Sequence, residues 1–279
     1  MNVTWLLASF AIGEQRGRVF QPAPSSSLGR GESLGIPDSG VGAEPEQQLR
    51  DVDRGALIVR QCEERWRSGG RRALVAGSTS GFVHAVDPDH DGAVLWEQRV
   101  GKGSRLGGVH WGLASDSRYV YAENSDALVI PVADGTAGAQ KTLLPFGSLL
   151  LSGASGGGLF ALAVDTGRIA WHTPHPGCGG GRPGCSPAQS AAITVIPGVV
   201  FSGGLDGHLR AYDTESGRII WDVDTVMTYQ TVNGVTARGG ALDGPGPVIA
   251  GGMLLVNSGY AFVGSIPGNV LLAFSVEGK

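Results

Sequence analysis

From Ala73 onward the chain alternates, apolar residues recurring at every second place over short runs that end on an aspartate. A period of two marks a strand with one buried face. Asp followed by a small or polar residue makes a tight turn through side-chain to backbone hydrogen bonds. The pattern repeats as a unit. Phe82-Val-His-Ala-Val-Asp87 runs on to Gly92-Ala-Val-Leu-Trp96, and Leu159-Phe-Ala-Leu-Ala-Val-Asp165 to Gly167-Arg-Ile-Ala-Trp171. Leu209-Arg-Ala-Tyr-Asp213 runs on to Gly217-Arg-Ile-Ile-Trp221. In all three copies Gly stands four positions before Trp. Asn269-Val-Leu-Leu-Ala-Phe-Ser275 keeps the first half of the unit and stops before any Trp.

Each unit predicts a hairpin whose second strand ends on a large aromatic surface that needs a neighbour to cover it. Stacking such units radially hides most sheet edges, which is the logic of a β-propeller. Trp96, Trp171 and Trp221 are therefore expected to be packing residues. The tryptophans are 75 and then 50 residues apart. The longer interval holds Gly107-Gly-Val-His-Trp-Gly112, a strand-like run at Tyr119-Val-Tyr-Ala122 and a Gly/Ser-rich linker from Gly147 to Gly158, and reads as one blade with a loop insertion. The expectation is an all-β fold of about four blades between residue 71 and Lys279, a partial ring with two open sheet edges.

Composition agrees. The 279 residues include 47 glycines and 15 prolines, and only 16% are charged. Glycine costs about 1 kcal/mol per interior helix position, which excludes a helical bundle; 42% hydrophobic content excludes a disordered chain. A net charge of −4 gives no drive toward nucleic acid. The apolar run Val3 to Gly13 is too short to span a membrane, and with no Lys or Arg before it makes a poor signal peptide. Ten of the eighteen arginines fall in the first 72 positions, and Gln21 to Gln48 is rich in Pro, Ser, Gly and Glu. Residues 1–70 thus read as a disordered or irregular leader, mostly disordered or loosely attached over 21–48, with a short helix around Gln47 to Arg67. Cys178 and Cys185 lie seven apart in a glycine-rich stretch, a spacing that permits a disulfide in an oxidising compartment. Cys62 stands alone, and no Cys-x-x-Cys-His occurs, so no c-type haem site is expected.

The tryptophan-bearing repeat resembles the blade motif of the quinoprotein alcohol dehydrogenases, which hold pyrroloquinoline quinone (PQQ) in an eight-bladed propeller. Longer strings are similar to the polyvinyl-alcohol dehydrogenase branch. They are Gly184-Cys-Ser-Pro-Ala-Gln-Ser-Ala-Ala192, Ile196-Pro-Gly-Val-Val-Phe-Ser-Gly203, Leu205-Asp-Gly-His-Leu-Arg-Ala-Tyr212, Thr231-Val-Asn-Gly-Val235, Leu242-Asp-Gly-Pro-Gly-Pro247 and Pro267-Gly-Asn-Val-Leu-Leu-Ala-Phe274. The likeness runs from about residue 73 to the C-terminus. It implies an oxidoreductase that uses PQQ and Ca2+ to oxidise a secondary or polymeric alcohol. Electrons would pass to an external acceptor such as a cytochrome c, in the periplasm or outside the cell.

By the same resemblance Trp111, in Gly107-Gly-Val-His-Trp-Gly112, is the residue on which the quinone ring would stack. Asp126, placed by its offset from Tyr121, is the implied calcium ligand, with Asn124 the next choice. Asn233, Gly240 and Asp243 lie in strings similar to cofactor-proximal loops. The family's general base is an Asp near a Pro-His-Asp string; the similar place here reads Thr173-Pro-His-Pro176, leaving His172 and His175 as substitutes. The family's earlier blades have no counterpart in residues 1–70. The expectation is therefore the C-terminal half of such an enzyme, truncated or completed by a second chain. The alternative is a non-catalytic propeller acting as a periplasmic scaffold or ligand-binding module.

Overall fold

The computed structural model describes residues 5–9, 57–60, 72–104, 106–136, 139–141, 148–154, 156–179, 181–259 and 264–276, and every regular element among them is a β-strand. Strand β1 (Trp5–Ser9) is followed by β2 (Leu57–Arg60), β3 (Arg72–Gly77), β4 (Phe82–Asp87) and β5 (Ala93–Arg99), of which the last four form the first blade. The second blade opens with β6 (Ala114–Ser115) and β7 (Tyr119–Asn124). A separate three-stranded sheet intervenes, built from β8 (Val129–Val132), β9 (Gln140–Lys141) and β10 (Ser148–Leu151), before β11 (Gly158–Ala163) and β12 (Ile169–Pro174) complete the blade. Strands β13 (Thr194–Ile196), β14 (Val199–Gly203), β15 (His208–Asp213) and β16 (Ile219–Asp224) make the third. After a hairpin of β17 (Thr228–Gln230) and β18 (Thr236–Arg238), the fourth consists of β19 (Val248–Ala250), β20 (Met253–Ser258) and β21 (Val270–Ser275), with β1 paired to β21.

Four antiparallel blades are thus present, as the repeat predicts. The 75-residue interval is one blade with an insertion, although part of the expected linker is strand β10. No sheet pairing among the described residues joins the first blade to the fourth. The leader departs from expectation. Residues 57–60, inside the predicted helix, are instead β2, paired from Leu57↔Val75 to Arg60↔Arg72. The run Leu-Ile-Val suits a strand edge better than a helix. The expected disorder of residues 21–48 and the rest of the predicted helix lie outside the described residues.

Three hydrophobic cores lie between successive blades. Val75, Val83 and Ala85 pack with Val120, Ala122, Phe160 and Leu162. Tyr121, Leu159 and Ala161 pack with Val200 and Tyr212, and Leu209 with Val256, Leu272 and Phe274. The repeat's tryptophan closes each interface. Trp96 is 8% exposed and donates its indole N–H to Val164 O at 2.9 Å in the next blade. Its ring lies against Gly167, where a Cβ would fall 2.4 Å from Cε3. Trp171 repeats this with Thr214 O at 2.9 Å and Gly217, and Trp221 meets Phe274 edge-on at 5.3 Å. The aspartates turn the hairpins as expected: Asp87 Oδ1 accepts from Asp89 N, and Asp213 Oδ1 from Ser216 N and Oγ. A register shift recurs at Ala85/Val86, Ala161/Leu162 and Ala211/Tyr212.

The glycine before each tryptophan therefore serves the tryptophan of the blade before it. Gly92, the first in the series, has none: no described atom lies within 4 Å of its Cβ position. Gly92 and Gly167 share the same backbone, φ 71° and 68°. Replacing either by Ala incurs the left-handed penalty of about 1–2 kcal/mol, but Gly167→Ala also overpacks the indole, adding about 1–3 kcal/mol. Urea denaturation of the two variants should show Gly167→Ala as the more damaging; equal losses would mean that the tryptophan contact is not tight.

Candidate functional site

The turns that carry the repeat's aspartates lie at one end of the blades. The crossovers from one blade to the next leave from the other, and the strings singled out above lie largely in them. Crossover 100–113 carries Trp111, crossover 175–193 carries His175 and both cysteines, and crossover 225–247 carries Asn233, Gly240 and Asp243. Backbone bonds lace them together: Ile193 N donates to Gly112 O, and Ala192 N to Gly244 O. Ser190 Oγ donates to Asp243 Oδ1 at 2.6 Å, so the buried Asp243 ties the third crossover to the second. Gly240 is a close-approach position, since a Cβ there would lie 2.3 Å from Ile266 O. Asn233, by contrast, caps the exposed β17–β18 turn, accepting from Val235 N at 3.4 Å.

Crossover 100–113 is pinned by the end of β7. Asp126, with φ 38°, accepts from the N–H groups of Lys102, Gly103 and Gly108 and from Asn124 Nδ2, at 2.9–3.3 Å. Burial pushes its carboxyl up, and these donors outweigh burial, leaving it below the usual carboxylate range. Ser125 N donates to Gly108 O, and Val109 N to Ser78 O. Gly108 must be glycine here, with φ 70° and Ser78 O only 2.4 Å from a Cβ. Beyond this anchor Trp111 is 48% exposed, while Trp96, Trp171 and Trp221 are all docked between blades. Beneath it lies Glu123, fully buried, a residue sequence reasoning passed over. Burial holds its carboxyl well above the usual range, against the pull of nearby main-chain N–H groups.

The second crossover folds over a charged cluster. Cys178 and Cys185 are joined in a disulfide, and the loop they close lines a cavity of about 550 Å³ with Arg182, Asp206, His208, Arg210 and Asp222. Arg210 donates to Asp206 at 2.5 Å and to Asp222 at 3.0 Å. His175 Nδ1 accepts from Gly177 N at 2.9 Å, so its proton sits on Nε2, which lies 3.2 Å from Asp206 Oδ2. Burial raises the Asp206 pKa, and His175 and Arg210 more than reverse that, holding it well below the usual range. His172 is elsewhere, on β12, stacked face to face on Phe160 at 3.9 Å. Asp206 and Arg210 were visible within Leu205-Asp-Gly-His-Leu-Arg-Ala-Tyr212, but not their partnership with His175.

A PQQ-repeat family described as "Outer membrane protein assembly factor BamB" matches residues 70–266. The chain belongs to that PQQ-repeat family. It is 42% identical over 221 residues to a polyvinylalcohol dehydrogenase of Pseudomonas sp, and 41% identical over 223 residues to that of Sphingopyxis sp. (strain 113P3). In each case the match covers 75% of this chain and 31% of the relative, so the chain spans about a third of their length. Among solved structures, quinohemoprotein alcohol dehydrogenase ADHIIG from Pseudomonas putida is 14% identical, with a TM-score of 0.44 over 81% of this chain and 39% of that one.

For a PQQ-repeat protein the fit of quinone and calcium to these residues differs. Trp111 offers an exposed aromatic face on an anchored loop, which suits a planar quinone. Calcium wants six to eight oxygens. Asp126 is committed to N–H donors, and Asn124 Oδ1, buried and without a hydrogen-bond partner, is a single oxygen. No group of three or more His, Cys, Asp or Glu side chains converges among the described residues. The implied pair Asn124 and Asp126 is thus not by itself a calcium site. No helix among the described residues is long and apolar enough to cross a membrane.

The Asp206 cluster carries a prediction. A carboxyl with a depressed folded pKa contributes stability above its unfolded value, near 3.9, and loses it as pH falls through the folded value. Asp206→Asn leaves Arg210 half paired in a buried site, so stability at pH 7 should fall by about 3–5 kcal/mol. The acid-side decline should also flatten below about pH 4. Urea midpoints at pH 7 and pH 3 measure both, and an unchanged acid limb would remove Asp206 from the account.

Proposed function

We propose that this chain is the platform-bearing part of a PQQ-dependent alcohol-oxidising propeller, acting on a secondary or polymeric alcohol. The observation that carries the reading is Trp111. Its three sister tryptophans are docked between blades, whereas this one is held outward by an anchored, glycine-rich loop. The 42% identity to a polyvinylalcohol dehydrogenase supports the same assignment. When bound, PQQ supplies the two-electron acceptor for alcohol oxidation, and electrons would leave to an external carrier such as a cytochrome c. This chain's part is to stack the ring, fix its tilt and exclude water from one face. Asn124 Oδ1 is the oxygen best placed to contribute to a calcium site completed by other ligands. Gly240 and Asp243 shape the crossovers rather than offer free groups, and Asn233 belongs to a separate turn.

The disulfide supports an oxidising compartment, the periplasm or the exterior. The Gly92 position, against which no described atom packs, fits the tryptophan of one further blade of this repeat, the group its two sisters already bind. His175, with both ring nitrogens engaged, offers no free lone pair to a substrate proton.

The test is a titration of the chain with PQQ, followed by tryptophan fluorescence with and without calcium and with EDTA as control. Saturable quenching is expected, weakened about tenfold or more in Trp111→Ala, as loss of one stacked aromatic face should cost roughly 1.4 kcal/mol or more. No quenching in a folded sample would leave a non-catalytic scaffold propeller as the better reading.

A further inference from the structure

The Trp111 loop is anchored at its two ends by the contacts already described. Residues 107–109 are held by Ser125, Asp126 and Ser78. After Trp111, Gly112 O accepts from Ile193 N, and the chain then joins β6. The N–H groups of His110, Trp111 and Gly112 between these anchors have no backbone acceptor among the described residues. Glu123 stands in the same place. The β6–β7 register, Ala114↔Tyr121 and Ser115↔Val120, runs on to set Gly112 opposite Glu123. The side chain is fully buried, and neither carboxyl oxygen closes a hydrogen bond. Its nearest polar neighbours are the main-chain N–H groups of Glu123 itself, His110, Gly112 and Trp111. Three donors without backbone acceptors and two buried, orphaned acceptor oxygens therefore lie together. Buried polar groups of native proteins are nearly always satisfied, and successive N–H groups form a natural receptor for a carboxylate.

We propose that Glu123 is the positioning residue of the Trp111 platform, its buried carboxyl group latching the main chain of residues 110–112 and so setting the tilt of the exposed indole. The link to quinone binding rests on the reading under Proposed function; the latch itself does not. An apolar residue of similar size would strand three amides and leave the loop hinged at Val109 and Gly112.

The chain labelled with 5-fluorotryptophan tests this, with signals assigned by single Trp→Phe variants. In Glu123→Leu the Trp111 fluorine signal should shift and broaden while those of Trp96, Trp171 and Trp221 stay in place. Glu123→Gln, which keeps one acceptor oxygen, should restore it. A Trp111 signal unmoved in Glu123→Leu, or the signals of Trp96, Trp111, Trp171 and Trp221 moving together, would overturn the latch. Should Glu123→Leu not fold, amide exchange in the wild-type chain decides. Protection at His110, Trp111 and Gly112 matching that of β7 is expected, and exchange as fast as at the exposed Val232 would reject the proposal. With PQQ, Glu123→Leu should bind about tenfold more weakly. A wild-type chain that binds no PQQ would defeat the platform reading alone, leaving the latch to be judged by fluorine shifts and exchange.

Discussion

The blades are held in sequence by an indole seated on a glycine. A tryptophan at the outer strand of one blade places its ring against the glycine of the next blade's hairpin and donates its N–H to a carbonyl beside that glycine. The ring can approach only because no Cβ is present: a Cβ at Gly167 or Gly217 would lie 2.4–2.5 Å from an indole carbon. The same glycines sit at φ near +70°, where other L residues are strained. One residue type thus meets two requirements, the tight turn and the close approach. Each contact is also directional, because the hydrogen bond fixes the indole's rotation while dispersion fixes its height. Adjacent blades are therefore registered, and the end of the molecule that carries the crossovers is built on a stiff base.

That stiffness lets the crossover end bury polar groups. Gln189 donates to Ser202 Oγ and Tyr212 OH, Thr225 Oγ1 to Gly207 O, and Ser258 Oγ accepts from Gly240 N. Each bond joins a crossover to a blade or to a neighbouring turn. Tyr212, hydrogen-bonded in this network and buried, has its hydroxyl pushed up to about 12 and stays neutral. Each of these donors is paired, and leaving one unpaired would cost about 1–3 kcal/mol. The exposed Trp111 is the exception that makes sense in this setting. Its loop is held at residues 107–109 and again at Gly112, so the ring itself can face outward.

Much of this was legible in the chain. Alternation identified β4, β11, β15 and β21, the Gly-x-x-x-Trp spacing identified the docking residues, and the long interval identified the inserted blade. What the spacing could not tell is which tryptophan each glycine serves. The two are four apart in sequence yet belong to different interfaces, since Gly167 receives Trp96 and not Trp171. The leader strands β1 and β2 were missed because neither shows its partner locally: β1 lies in an apolar run and pairs with β21 at the other end of the chain, and Leu57–Arg60 lies among charged residues that suggest a helix. Glu123 was missed for a similar reason. At the polar end of a strand that begins Tyr-Val-Tyr-Ala, an acid reads as a surface residue until the crossover beside it is seen to supply N–H groups.

The hydrogen bonds of His175 fix where its proton lies. A general base needs a ring nitrogen with a free lone pair within reach of the substrate. The Gly177 N–H occupies the lone pair of Nδ1, which leaves the proton on Nε2, directed at the Asp206 carboxylate. Arg210 Nη1, 3.2 Å from Nε2, cannot donate to a nitrogen that already carries a proton, and its guanidinium is held by Asp206 and Asp222 instead. The imidazole is a strut between the disulfide-closed crossover and the third blade. Its side chain is only 1% exposed, and releasing Nε2 would leave Asp206 short of a donor in a site where a charge without partners is costly. The crossover end is accordingly divided: the second crossover is locked by charge pairing, and the first leaves the Trp111 ring exposed.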